Sequence, residues 1–291
     1  MKNLILFILI HFILNTVLFA RFPAKPRLSG SVYSKESKLM VGAKGGLTFA
    51  QPIVLQKFNV VNPLDNAITQ SGTKTYKSLF QNIGYQYAFT ALYKLKESLD
   101  IRIEPNFSTY VYKYQTEYSW ISSGSDAEQI DMSIKHRHSL NYLEIPITLR
   151  YLYGSGTARP FIQGGIYYGF LLNAIKSSEK TETYSNSLGT STLNSEQQTG
   201  DARSLYVKSR YGFNAGIGID YDFSAVHLTI DINLNFGINS VANESGRYSN
   251  QQYTSGLYDI QDNIRLIIPS VNIGILFPLN KPSKSKIVCR N

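Results

Sequence analysis

From residue 39 onward, apolar and polar side chains alternate with a period of two. That is the spacing at which successive residues of a strand point to opposite faces. The clearest runs set Leu99, Ile101, Ile103, Pro105, Phe107, Thr109 and Val111 against Asp100, Arg102, Glu104, Asn106 and Ser108. Leu143, Ile145, Ile147, Leu149 and Tyr151 likewise stand against Glu144, Pro146, Thr148 and Arg150, and Val226 to Ile238 alternate against His227 to Gly237. The pattern recurs over 39–50, 80–95, 160–173, 206–223 and 264–279, which makes eight strands. Most exceed the roughly 9–11 residues a tilted strand needs to cross a bilayer.

The connections alternate in length. Short turns fall at Lys96-Glu97-Ser98, Gly154–Arg159 and Phe223-Ser224-Ala225, and long polar stretches at 51–78, 115–138, 174–205 and 241–262. Short periplasmic turns and long extracellular loops are the signature of an outer-membrane barrel. The fold expected is therefore all-β: an eight-stranded antiparallel transmembrane β-barrel over residues 39–279. The polar face is rich in small uncharged residues such as Gly84, Ala88, Gly165, Gly212 and Asn233. That suits a narrow lumen better than a solvated exterior, so the apolar face is assigned to lipid. Two aromatic girdles are expected: Tyr110, Tyr112, Tyr114, Tyr142, Tyr206 and Tyr211 outside, and Tyr93, Tyr151, Tyr153, Tyr221, Phe223 and Phe277 on the periplasmic side.

The ends of the chain add location. Lys2, the apolar run Leu4–Ala20 and the return of charge at Arg21 read as a secretory signal peptide over 1–20. The tails 21–38 and 280–291 each carry +4, nearly half each of a net charge of +9. Both are expected in the periplasm, where secretion argues against nucleic acid as a partner and anionic headgroups are a plausible contact. The one cysteine, Cys289, excludes a disulfide framework.

Two stretches carry a resemblance. Leu143-Glu144-Ile145-Pro146-Ile147 followed by Pro160-Phe161-Ile162-Gln163-Gly164-Gly165, with Val41-Gly42-Ala43-Lys44-Gly45-Gly46-Leu47 near the start, resembles the PorT-like outer-membrane β-barrel proteins of Bacteroidota. The resemblance implies a barrel whose named relatives assist type IX secretion and gliding. The final segment, with Asn272, Gly274, Phe277 and Leu279, is similar to the signal read by the barrel-assembly machinery.

Chemistry is sparse in the pattern. His138 and Ser139 are adjacent and point to opposite faces, so His136-Arg137-His138-Ser139 does not make a nucleophile–base pair. Asp126, Glu128 and Asp131 lack the spacing of a calcium loop. No cofactor or metal site is expected. Arg102, Glu104, Glu144, Arg150, Arg210, Asp220 and Asp231 fall on the inner face, where mutual pairing is the expected state. The functional expectation is a non-enzymatic barrel, in contact with outer-membrane lipid, that binds a protein partner through its loops or tails as a secretion or assembly accessory. A lipid-modifying enzyme and a small-solute channel are the alternatives.

Overall fold

A computed structural model describes residues 38–58, 68–121, 128–194, 197–223, 226–249 and 259–279. The expected signal peptide, nearly all of the N-terminal tail and the C-terminal tail lie outside these residues. Among the described residues, thirteen strands form one antiparallel sheet: β1 (Leu39–Phe49), β2 (Gln51–Gln56), β3 (Ile68–Tyr76), β4 (Ile83–Lys96), β5 (Leu99–Ile103), β6 (Asn106–Ile121), β7 (Gln129–Leu152), β8 (Ala158–Asn186), β9 (Gly189–Asn194), β10 (Gln198–Asp201), β11 (Ser209–Asp222), β12 (His227–Gly237) and β13 (Asn263–Pro278).

Eight staves close a ring. Each pairs with its sequence neighbour, in the order β1, β4, β5 with β6, β7, β8, β11, β12 and β13, and β13 returns to β1 with Val41 opposite Phe277 and Leu47 opposite Val271. Closure leaves no open edge within the band, as hydrocarbon requires. The third stave is interrupted at Glu104-Pro105, because proline has no N–H for the ladder; the Pro105 carbonyl still accepts from Phe89 N–H at 3.0 Å. Gly154 supplies positive φ (83°) to the short turn after β7. At Gly165 the strands approach so closely that a Cβ would lie 2.0 Å from the Ile147 carbonyl oxygen.

Alternation sorts the faces. Leu47, Phe89, Ile147, Ile166, Phe213, Ile232 and Ile273 lie outward and are all more than a third exposed, whereas the facing polar set is buried. Such a continuous apolar exterior needs lipid, not water. Tyr93, Tyr151, Tyr153, Phe223 and Phe277 ring the short-turn end. Phe277→Asp is expected to put a charge at that lipid boundary, costing about 1–3 kcal/mol; the check is the amount of heat-modifiable, folded protein in the membrane fraction, which should fall.

Two expectations need correction. Five of the six tyrosines placed in the outer girdle, Tyr110, Tyr112, Tyr114, Tyr142 and Tyr206, are inside and buried, and Tyr211 alone is exposed. On β6 the even positions share parity with Arg102, so Tyr110, Tyr112 and Tyr114 belong to the interior, and Val111, although on the outward parity, is covered. The long polar stretches are also not all loop. The β6–β7–β8 staves run on beyond the apolar band, flanked by β3 on β6 and by β9 and β10 on β8. Threonine, serine and tyrosine favour strands once a neighbour supplies the ladder, and that preference is invisible to a search for apolar alternation.

Candidate functional site

The interior is built in layers. Nearest the short turns, Arg150 donates to Asp100 through Nε (2.9 Å) and Nη2 (3.2 Å), reaches Asp220 with the same guanidinium, and stacks over Phe161 at 4.1 Å. Above it, Lys44 donates to Glu104 at 2.7 Å and to Asp231 at 3.3 Å, while Arg102 contacts the same two carboxylates at 3.1 and 3.5 Å. Asn272 donates to Asp231 at 2.7 Å, and Asn233 does so at 2.6 Å. Higher still, Arg210 Nη1 lies 3.2 Å from Glu144, and Nη2 donates to the Tyr167 hydroxyl at 2.7 Å. Tyr110 donates to Glu144 at 2.6 Å and packs under the Arg210 guanidinium.

The seven interior charges named from the sequence thus divide into three separate clusters. Glu104 and Glu144 belong to different ones. Lys44 and Asp100 are the members not named as interior charges from the sequence, although the parity of Lys44 with Gly42 and Gly46 on β1, and of Asp100 with Arg102 on β5, places both inward. Of the last-strand residues, Asn272 is part of the lumen network and Gly274 packs closely on Thr229 and Lys44, so both face in. Phe277 and Leu279 are exposed.

The fourth layer lies beyond the apolar band, at the mouth. The segment Asp259–Asp262 is tucked inside and buried. Lys176 and Tyr114 both donate to Asp259, and Lys74 lies 3.2 Å from it and 3.4 Å from Asp262. Tyr76 donates to Asp262 at 2.8 Å. A directed chain of hydrogen bonds leads to the same carboxylate. Gln261 donates to Tyr112 (3.0 Å), Tyr112 bonds to Tyr206, Tyr206 to His138 Nδ1, and His138 Nε2 lies 3.2 Å from the Tyr114 hydroxyl. With Tyr114 donating onward to Asp259, the consistent assignment is a neutral His138 with its proton on Nε2.

Burial holds His138 well below the usual histidine range and lowers His136 to about 3. Burial alone would raise Asp259, but Lys176 and Lys74 hold it well below the usual carboxylate value. His136 meets Ser178 at 3.0 Å and Thr116 at 3.1 Å, all three buried. His138 faces in while Ser139 lies on the outward parity, as their adjacency requires. Glu128 and Asp131 are not part of any metal-binding group among the described residues, and Asp126 lies outside them.

The period-two pattern does not mark the mouth. A register shift opposite Asn141 and Tyr142 changes the parity of β8, so that inward positions run Gly165, Tyr167, Gly169 and then Ala174, Lys176, Ser178. Asp259 arrives from a long polar stretch with no periodicity of its own.

Among solved structures, the chain is similar to Neisserial surface protein A (13% identity, 84% of this chain and 98% of that one, TM-score 0.33). It is also similar to the N-terminal β-barrel domain of Pseudomonas aeruginosa OprF (10%, 84% and 100%, 0.30) and to Ail, the attachment invasion locus protein of Yersinia pestis (7%, 83% and 99%, 0.30). No curated protein matches the sequence. Residues 24–243 match the family model described as outer membrane protein beta-barrel domain. A closed ring of eight lipid-facing staves, a charge-paired interior and that match over most of the chain lead to one conclusion: this is a multi-pass barrel of the outer membrane, and it belongs to the outer membrane protein beta-barrel domain family.

Proposed function

We propose that this protein is a non-enzymatic recognition barrel, an accessory to a multi-protein process of secretion or surface assembly of the PorT-like, type IX kind found in Bacteroidota. The observation that carries the reading is the wall of strands beyond the lipid band. There β3, β6, β7, β8 and β9 form a continuous sheet that closure of the barrel does not require. Its far hairpin, β8 to β9, presents Thr190, Thr192, Leu193 and the nearly fully exposed Leu188. Surface segments held on a rigid scaffold are where recognition concentrates.

The interior supports the same reading indirectly. Its ionic layers are paired across the lumen, and the mouth is occupied by Asp259–Asp262, so the surface offered to other molecules is the exterior. The reading includes engagement of the assembly machinery by the last strand during insertion, with Phe277 and Leu279 on its apolar face. Deletion of the gene is expected to impair export or surface display of other proteins while leaving the outer-membrane lipid profile unchanged. Altered lipid in the deletion strain, restored by purified protein acting on isolated lipid, would replace this reading with the enzymatic one.

A further inference from the structure

The outward face of β6 and β7 changes character abruptly. Phe107 opposite Leu143 is the last apolar cross-strand pair of the band. Thr109 faces Asn141, and Val111 faces Ser139, which faces Ile175 on β8. The next outward row, about 7 Å further along the strands, is Lys113 directly opposite Arg137. Lys77 adjoins them, its N–H donating to the Lys113 carbonyl at 2.9 Å. On the other side Arg137 faces Ser177, whose hydroxyl meets Thr199 at 3.0 Å.

Like charges directly opposed on a sheet are destabilising, and among the described residues neither Lys113 nor Arg137 is in an ion pair. Among the described residues, Lys77 Nζ donates to the neutral Gln115 amide oxygen, at 3.1 Å, and to no carboxylate. The row above is different: there Lys135 has Glu179 at 3.8 Å. The uncompensated row is thus the charged row nearest the lipid, with three cations leading into two hydroxyls.

We infer that Lys77, Lys113 and Arg137 form a site on the barrel's outer wall for the phosphate groups of outer-leaflet lipid. The site sits at headgroup depth beside the apolar band, on the side of the long connections. A phosphate there supplies the negative charge that the row lacks, with Arg137 able to engage two of its oxygens at once. The contact would fix the rotational setting of the extracellular wall against the membrane surface.

The test uses the full chain folded in a neutral detergent, titrated with lipopolysaccharide bearing its lipid A phosphates, with the same lipid after dephosphorylation, and with inorganic phosphate. The variants are Lys113→Ser, Arg137→Gln, their combination, the charge-keeping Arg137→Lys, and Lys96→Ser at a periplasmic turn as control. The phosphorylated lipid is expected to bind wild type, with affinity falling about fivefold for each charge removed, falling less in Arg137→Lys, which keeps the charge but not the paired N–H fork, and retained in Lys96→Ser. Folding of each variant is read from heat-modifiable migration, and Arg137→Gln alone carries the test where the combined variant does not fold. Equal binding of the dephosphorylated lipid, equal binding by Arg137→Gln, or an equal loss in Lys96→Ser would overturn the inference. So would inorganic phosphate raising the unfolding temperature as much as the lipid does, since the site would then be one for free anions.

Discussion

Replacing Arg150 by methionine is expected to cost the barrel about 3–5 kcal/mol, the range for removing one partner of a buried ion pair. The guanidinium is fully buried between Asp100 and Asp220, and the ring of Phe161 covers it. Methionine fills much of the volume but removes the cation that bridges the two carboxylates, leaving Arg102, which is not within ion-pair distance of either, as the nearest interior positive charge of the neighbouring layer. The penalty is chiefly that of the stranded charges, so it should be reversible from the other side. Asp100→Asn together with Asp220→Asn in the Arg150→Met background should recover most of the loss. Urea unfolding of the detergent- or lipid-embedded barrel measures both. Additive losses in the triple variant would show that the arginine acts by packing alone.

Acidification from pH 7.5 to 5 is expected to loosen the mouth selectively. His136 is neutral in the folded protein down to about pH 3, whereas an unfolded histidine takes up its proton near 6.5. A group whose folded value is depressed contributes stability in full above its unfolded value and loses it as pH falls below. At pH 5 the difference amounts to about 2 kcal/mol for His136. His138 acts in the same direction, because protonating it requires the donor chain from Gln261 to Tyr114 to be broken. Asp259 adds to the loss only at still lower pH, since its folded value is also depressed. Hydrogen exchange at the backbone of Asp259–Asn263 should therefore quicken at pH 5 relative to the staves in the lipid band. His136→Gln should reduce the difference. An unchanged ratio between pH 7.5 and 5 would contradict the buried neutral assignment.

How much of this was legible in the sequence follows from what a period of two can and cannot report. Within the band, lipid on one side and a narrow lumen on the other force strict alternation, so Ile145-Pro146-Ile147-Thr148-Leu149-Arg150 declares its strand, its faces and its buried arginine at once. The register between staves is also implicit there, because a one-residue slip would send Arg150 into lipid. Beyond the band the exterior meets water and alternation lapses. Lys113, Gln115, Glu117 and Ser119 face outward as freely as Thr116 faces in, and the strand signal fades while the strand continues. The tyrosines expose the difference. Interfacial girdles and hydrogen-bonded interiors both draw on tyrosine, and only parity distinguishes them: Tyr110 and Tyr112 share parity with Arg102, not with Phe107. The mouth layer was out of reach of such arguments, since both of its carboxylates, Asp259 and Asp262, come from an aperiodic segment and one of its lysines, Lys176, from past a bulge.

From the Arg150 layer to the Asp259 mouth the interior is charge-paired, and the proposed recognition falls to the outer surface. Conductance across a planar bilayer containing the purified wild-type barrel measures this directly. The expected record is a baseline without stable openings at neutral pH, because Arg102 reaches Asp231 on the opposite stave, Lys44 bridges Glu104 and Asp231, Arg150 joins Asp100 to Asp220, and Arg210 holds Glu144. Stable openings of large, uniform conductance from the wild-type protein would contradict it.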